Sequence, residues 1–126
     1  VSDPIEAKRH PTSVVDMQFS LPYGAAVALT YGRASLEEYR DGMPNNPQVK
    51  HVMERVQCVT DPKLDALSPR QMPAWAEVLT TDGRTLRSES AYPKGDPENP
   101  GTWDEMKEKF NLLSSSSSAR TAKRKS

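Results

Sequence analysis

Three features of this sequence predict an α+β domain, with helices layered on a small and largely antiparallel sheet. The alanine- and valine-rich run from Pro22 to Tyr31 sits between a proline suited to a first helical turn and Gly32, placed to end the helix. Two segments of strand composition, Ala74–Thr80 and Arg84–Ala91, flank Asp82-Gly83, a strong hairpin signal. Two capping boxes, Ser35-Leu36-Glu37-Glu38 and Thr102-Trp103-Asp104-Glu105, each open a helix.

In chain order, residues 1–13 are polar and turn-prone, with Pro4 and Pro11, and read as a lead-in loop. The first helix is capped by Ser20 or Leu21 and runs from about Pro22 to Tyr31. Ala25, Ala26, Val27, Ala28 and Leu29 leave it no polar face, which predicts burial on most sides. A short second helix begins at Ser35 and stops near Gly42. Asn46-Pro47 begins a third, with Val49, Val52, Met53 and Val56 at helical spacing. A third strand is expected over Arg55–Thr60, ended by Asp61-Pro62, and Leu64–Pro73 is a proline-interrupted connection. After the hairpin, Tyr92–Gly101 is kept irregular by proline and glycine. The closing helix carries Trp103, Met106, Phe110 and Leu113 on one stripe, and residues 114–126 read as a disordered, serine-rich basic tail.

Composition narrows the function classes. A length of 126 residues fits one domain or one piece of a larger protein, and 35% hydrophobic content with eleven prolines allows only a modest core. The formal charge is zero, but Arg120, Lys123, Arg124 and Lys125 lie in the tail. The body to Leu113 therefore has 13 basic against 17 acidic residues, a net of −4, which does not suggest a nucleic-acid partner. The single cysteine, Cys58, excludes an internal disulfide and a cysteine-based zinc site, and its apolar neighbours predict a buried thiol. No His/Cys/acid cluster has metal-ligand spacing, which excludes little beyond a classical zinc site, so no residue is read as a metal ligand; neither a phosphate-cradling glycine motif nor a nucleophile elbow is present. No apolar run is long enough to cross a bilayer, and Val1-Ser2-Asp3-Pro4 has no signal-peptide character. No membrane partner and a cytoplasmic location are the expectations.

The segment Gln18-Phe19-Ser20-Leu21-Pro22-Tyr23 brings a polar cluster and a phenol to the start of the apolar helix. Helix starts gather unpaired N–H groups and the positive dipole end, so Tyr23 stands where a carboxylate-bearing ligand would be welcome. On spacing alone, Tyr23 and Phe19 read first as core anchors, and Ser20 as a cap or a polar contact. Lys8, Arg9 and His10 form a short basic run that could meet a carboxylate if the loop folds over a site, or stay solvated if it does not. Lys94 stands beside Gly95, where backbone can approach a ligand, or where the chain merely turns. His51 reads as a half-exposed helical histidine, and Asp16, Asp96 and Glu98 are acids with no diagnostic pairing.

Four stretches together resemble the C-terminal domain of the MmgE/PrpD family, which includes 2-methylcitrate dehydratase, cis-aconitate decarboxylase and iminodisuccinate epimerase. The first is His10-Pro11-Thr12-Ser13 with Asp16–Tyr23, and the second is Asn46-Pro47-Gln48-Val49 with Arg55-Val56 and Asp61-Pro62. The third is the Asp82-Gly83 hairpin. The fourth is Tyr92-Pro93-Lys94-Gly95-Asp96-Pro97-Glu98-Asn99-Pro100 with Trp103, Lys109 and Phe110. They cover residues 10–113 in the family's order, and residues 14–113 correspond to its lid domain; the chain from Ser114 departs from the pattern.

The resemblance implies the α+β lid of a cofactor-independent lyase of propionate-type metabolism, acting on a small polycarboxylic acid by proton abstraction and elimination. It implies that Tyr23 donates a hydrogen bond or proton to the substrate, with Ser20, Arg9, His10 and Lys94 shaping the pocket. Most acid/base residues would belong to a helical domain outside these residues, so a helical domain or subunit of the same enzyme is the implied partner, with a homodimer as one assembly. The alternatives are a non-catalytic assembly domain docking on a separate helical subunit, or part of an epimerase or decarboxylase of the same family.

Overall fold

The structure is a computed structural model that describes residues 1–125, with side chains described through residue 116. The class is α+β: six α-helices, two short 3-10 helices and one two-stranded antiparallel sheet occur among the described residues. The chain divides into two compact units, Val1–Thr60 and the residues from Asp61 onward.

The first unit is helical. Helices α1 (Ile5–Arg9) and α2 (Val14–Gln18) occupy the stretch that sequence patterning reads as a lead-in loop running into the signature. Five residues are too few to show a period, and helices this short depend on neighbours rather than propensity. For α2 the neighbour is its own cap. The Ser13 hydroxyl accepts from the Asp16 N–H at 3.1 Å, while the Asp16 carboxylate accepts from the Ser13 N–H at 3.1 Å. Helix α3 (Leu21–Tyr31) has the expected ends: Ser20 caps it, Pro22 lies in its first turn, and Gly32 closes it at φ 70°, with its N–H on the Ala28 carbonyl at 2.9 Å. The Ser35–Glu38 capping box opens the 3-10 helix Leu36–Tyr39. A second 3-10 helix spans Met43–Asn45, and Asn46 caps α4 (Pro47–Met53).

Helix α4 packs on α3, and together with α2 they enclose the core: Met17, Tyr23, Ala26, Val27, Val49 and Met53. Tyr39, Met43, Val14 and Val52 pack around it, half-buried. Burial of α3 is one-sided, which corrects the expectation from its composition. Leu21, Ala28, Leu29 and Tyr31 are exposed, because α1, α2 and α4 cover only the side that carries Tyr23, Ala26 and Val27. The third strand expected over Arg55–Thr60 is absent. That segment is irregular; its Val56 N–H returns to the Met53 carbonyl and its Val56 carbonyl accepts from Arg9, so these groups are satisfied without a ladder. Cys58 is half-buried rather than enclosed.

The second unit opens with α5 (Pro62–Asp65), capped by Asp61, inside the stretch expected to be a plain connection. Strands β1 (Ala74–Leu79) and β2 (Thr85–Ser90) pair antiparallel with Val78 opposite Leu86 and Leu79 opposite Thr85. The turn is closed by the Thr80 N–H on the Arg84 carbonyl at 2.9 Å and by Gly83 at φ 85°. Arg87 lies over the Trp75 ring, 4.4 Å from its centroid, and the Trp75 indole donates to Asp61 at 2.9 Å. Helix α6 (Trp103–Lys125) begins with the expected box, the Thr102 hydroxyl accepting from the Glu105 N–H at 3.2 Å and the Glu105 carboxylate accepting from the Thr102 N–H at 2.7 Å. Its backbone continues through the serine run that reads in sequence as a disordered tail; the side chains from residue 117 and all of Ser126 lie outside the described residues. Among the described residues from 61 to 116, none is fully buried.

Candidate functional site

The predicted site begins at the N-terminus of α3. Ser20 leaves the helix in extended conformation, so its hydroxyl can turn back to accept the Tyr23 N–H at 3.1 Å. The same hydroxyl donates to the Lys8 carbonyl at 2.5 Å, which ties the last turn of α1 to the first of α3. Ser20 is nearly enclosed, and both bonds are internal to the chain.

Tyr23 is fully buried. Its ring meets Tyr39 edge to face, with centroids 5.3 Å apart at 78°, and its hydroxyl donates to the backbone carbonyl of Glu38. Burial pushes the phenol up to about 12, with smaller contributions from Tyr39, Tyr31 and Glu38. At neutral pH this group holds its proton.

Arg9 and His10 lie at the end of α1 and share Glu6. The Arg9 guanidinium is 3.0 Å from one Glu6 oxygen, and His10 Nε2 is 3.9 Å from the other. Arg9 also donates to the Val56 carbonyl at 2.7 Å, and its buried Nε has no partner among the described residues. His10 is mostly exposed. Lys94 belongs to the second unit, where its ammonium pairs with Glu105 at 3.1 Å. The structure thus joins Ser20 to Tyr23 through a hydrogen bond, and Arg9 to His10 through Glu6.

Sequence patterning missed one group. Glu38 is buried, and its carboxylate accepts from the Ser35 N–H at 2.8 Å, from the Ser35 hydroxyl at 2.6 Å and from Arg33 Nε at 2.8 Å. Burial pushes the carboxyl up, but the bonds from Ser35 and Arg33 outweigh it and hold the group below the ordinary carboxylate range. The Ser35–Glu38 box was visible as a cap; nothing in the sequence marked Arg33 as its third donor or Tyr23 as a partner of its backbone.

Among the described residues, concavities of the helical unit include two with distinct walls. One of about 200 Å³ is mainly polar, with Thr12, Ser13, Asp41 and Asn45 in its wall. The other, about 440 Å³, is an open groove where Thr30 faces Pro47, His51 and Val52 of α4. Neither is lined by Tyr23, Ser20, Arg9 or His10. No group of histidine, cysteine and acidic side chains among the described residues is arranged to hold a metal ion. Among the described residues no helix is long and apolar enough to cross a membrane.

An α+β domain made of a helical unit and a hairpin-plus-helix unit is the class defined by this fold. The family profile described as the MmgE/PrpD C-terminal domain matches residues 1–126, and the chain belongs to that family. As a domain of larger family proteins, it has other domains or subunits as its expected neighbours. Comparison with curated proteins gave no match.

Proposed function

We propose that this domain is the lid of an MmgE/PrpD-type lyase that acts on a small polycarboxylic acid. The observation that carries the reading is the family match along the whole of residues 1–126. Elimination beside a carboxylate needs a base for the carbon-bound proton, an acid for the leaving hydroxyl, and cations for the carboxylates. In this reading the base belongs to a helical domain, and Tyr23 is the donor that the lid brings. A phenol raised to about 12 stays protonated at neutral pH, which suits donation and not abstraction. To reach a substrate, its hydroxyl must exchange the Glu38 carbonyl for a substrate oxygen. Arg9, His10 and Lys94 are the cations of the reading, and Ser20 holds the turn that carries Tyr23.

The test is Tyr23→Phe in the complete enzyme, assayed with 2-methylcitrate and with cis-aconitate. A large loss of kcat in a variant that remains folded under the assay conditions supports the role. Wild-type turnover removes Tyr23 from the mechanism. The isolated chain should show no turnover with either acid, and activity from it alone would sink the split-site reading.

The exposed side of α3 favours a second reading, a non-catalytic assembly domain that docks on a separate helical subunit. Leu21 and Leu29 are about half exposed there, a costly arrangement for a helix this apolar. The readings part on reconstitution: a helical subunit that is fully active without this chain would favour assembly over catalysis.

A further inference from the structure

Helix α6 presents an apolar seam that stands exposed among the described residues. Trp103, Met106, Phe110 and Leu113 follow one another in steps of three, four and three residues, the spacing of one helix seam seeking another. They are 68%, 56%, 70% and 42% exposed. Scattered exposed hydrophobics are ordinary; four large ones in one helical stripe are not. The unit to which α6 belongs has no fully buried residue among those described, so it has no core of its own for the seam to serve.

Charge selects what fits. At the two positions bordering the seam stand Lys107 and Lys109, while Asp104, Glu105 and Glu108 lie on the opposite side of the helix. Lys107 lies 5.8 Å from the Trp103 ring centroid, leaning along the seam's edge. In a second copy of α6 running antiparallel, Lys107 would meet Lys107 and Lys109 would meet Lys109; running parallel, the lysines would meet only Thr102 and Ser114, so neither arrangement forms an ion pair. A helix whose own borders are acidic would instead form ion pairs along both sides of the apolar contact.

We propose that the Trp103–Leu113 face of α6 docks one amphipathic helix, from outside these 126 residues, whose apolar stripe is bordered by acidic side chains. The surface is independent of any role for Tyr23. The probes are two synthetic helices about three heptads long, with leucine at the seam positions and either glutamate or lysine at every border position. They are titrated into the full chain carrying Trp75→Phe, so that Trp103 alone reports. The glutamate-bordered helix should bind, shift Trp103 emission to the blue and weaken as salt rises, while the lysine-bordered one should not bind. Phe110→Ala should weaken binding by about tenfold or more, as loss of a central anchor does. Because Phe110 is exposed, that change leaves the fold intact. The double change Lys107→Glu and Lys109→Glu should reverse the preference between the two helices. Equal binding of both, binding of neither, or a concentration-dependent dimer abolished by Phe110→Ala would overturn the proposal; the last would make a second copy the occupant.

Discussion

The Tyr23 hydroxyl donates to the backbone carbonyl of Glu38, and this bond fastens the first turn of α3 to the 3-10 helix that follows Ser35. The Glu38 side chain is engaged separately, by Ser35 and Arg33. One residue thus anchors two things: its main chain holds the phenol at the centre of the core, and its carboxylate holds the cap of its own turn.

Tyr23→Phe keeps the ring and its contact with Tyr39 but leaves the Glu38 carbonyl without its donor. A buried acceptor left unsatisfied costs ~1–3 kcal/mol, so the denaturant midpoint should fall by a corresponding amount with the helical signal retained. An unchanged midpoint would mean that water replaces the hydroxyl.

Glu38→Gln tests the carboxylate. Because the folded protein holds this group below its ordinary range, its stabilisation is complete above the unfolded value and is lost as pH falls through the folded one. The wild type should lose stability on acidification below about pH 4, and Glu38→Gln should flatten part of that slope. Asp16, Asp61, Asp82 and Glu105 are also held low, so some slope remains in the variant. At neutral pH the loss should be ~1–2 kcal/mol and come mainly from the Ser35 bonds, since the Arg33 partner is 59% exposed and well screened. Urea unfolding across the acid range measures both.

Ser20→Ala removes an acceptor for the Tyr23 N–H and a donor to the Lys8 carbonyl in one step. Loss of a helix cap costs ~0.5–2 kcal/mol, and the burial of Ser20 puts this site toward the upper part of that range. Hydrogen exchange should quicken first at the Tyr23 amide and in the last turn of α1. Uniform quickening through the unit would instead indicate global destabilisation.

Gly83→Ala probes the hairpin alone. A Cβ at Gly83 meets nothing within 4 Å, so the cost is the left-handed backbone itself, φ 85°. That conformation costs a residue with a Cβ ~1–2 kcal/mol, and amide protection across β1 and β2 should fall accordingly. Gly83→Asn should cost less, because asparagine tolerates this region.

The parts legible in the sequence were those whose partners lie within a few residues. The Ser20 cap, the Gly32 stop, both glutamate capping boxes, the Asn46-Pro47 start and the Asp82-Gly83 turn are satisfied inside their own turns, so residue order was enough to find them. The α+β class and the family followed from that order. Short helices such as α1 and α2 were not legible, because five residues show no period.

Folding in three dimensions settled the rest, since it joined groups that no local spacing relates. Arg9 reaches the Val56 carbonyl across 47 positions, which helps leave Arg55–Thr60 without a strand's pairing, and Tyr23 reaches Glu38 across 15. Composition described α3 as apolar on every side, but only packing against α4 could decide which side is covered. The stripe on α6 shows the same division. Its spacing is written in the residues, whereas its exposure among the described residues depends on what packs opposite it.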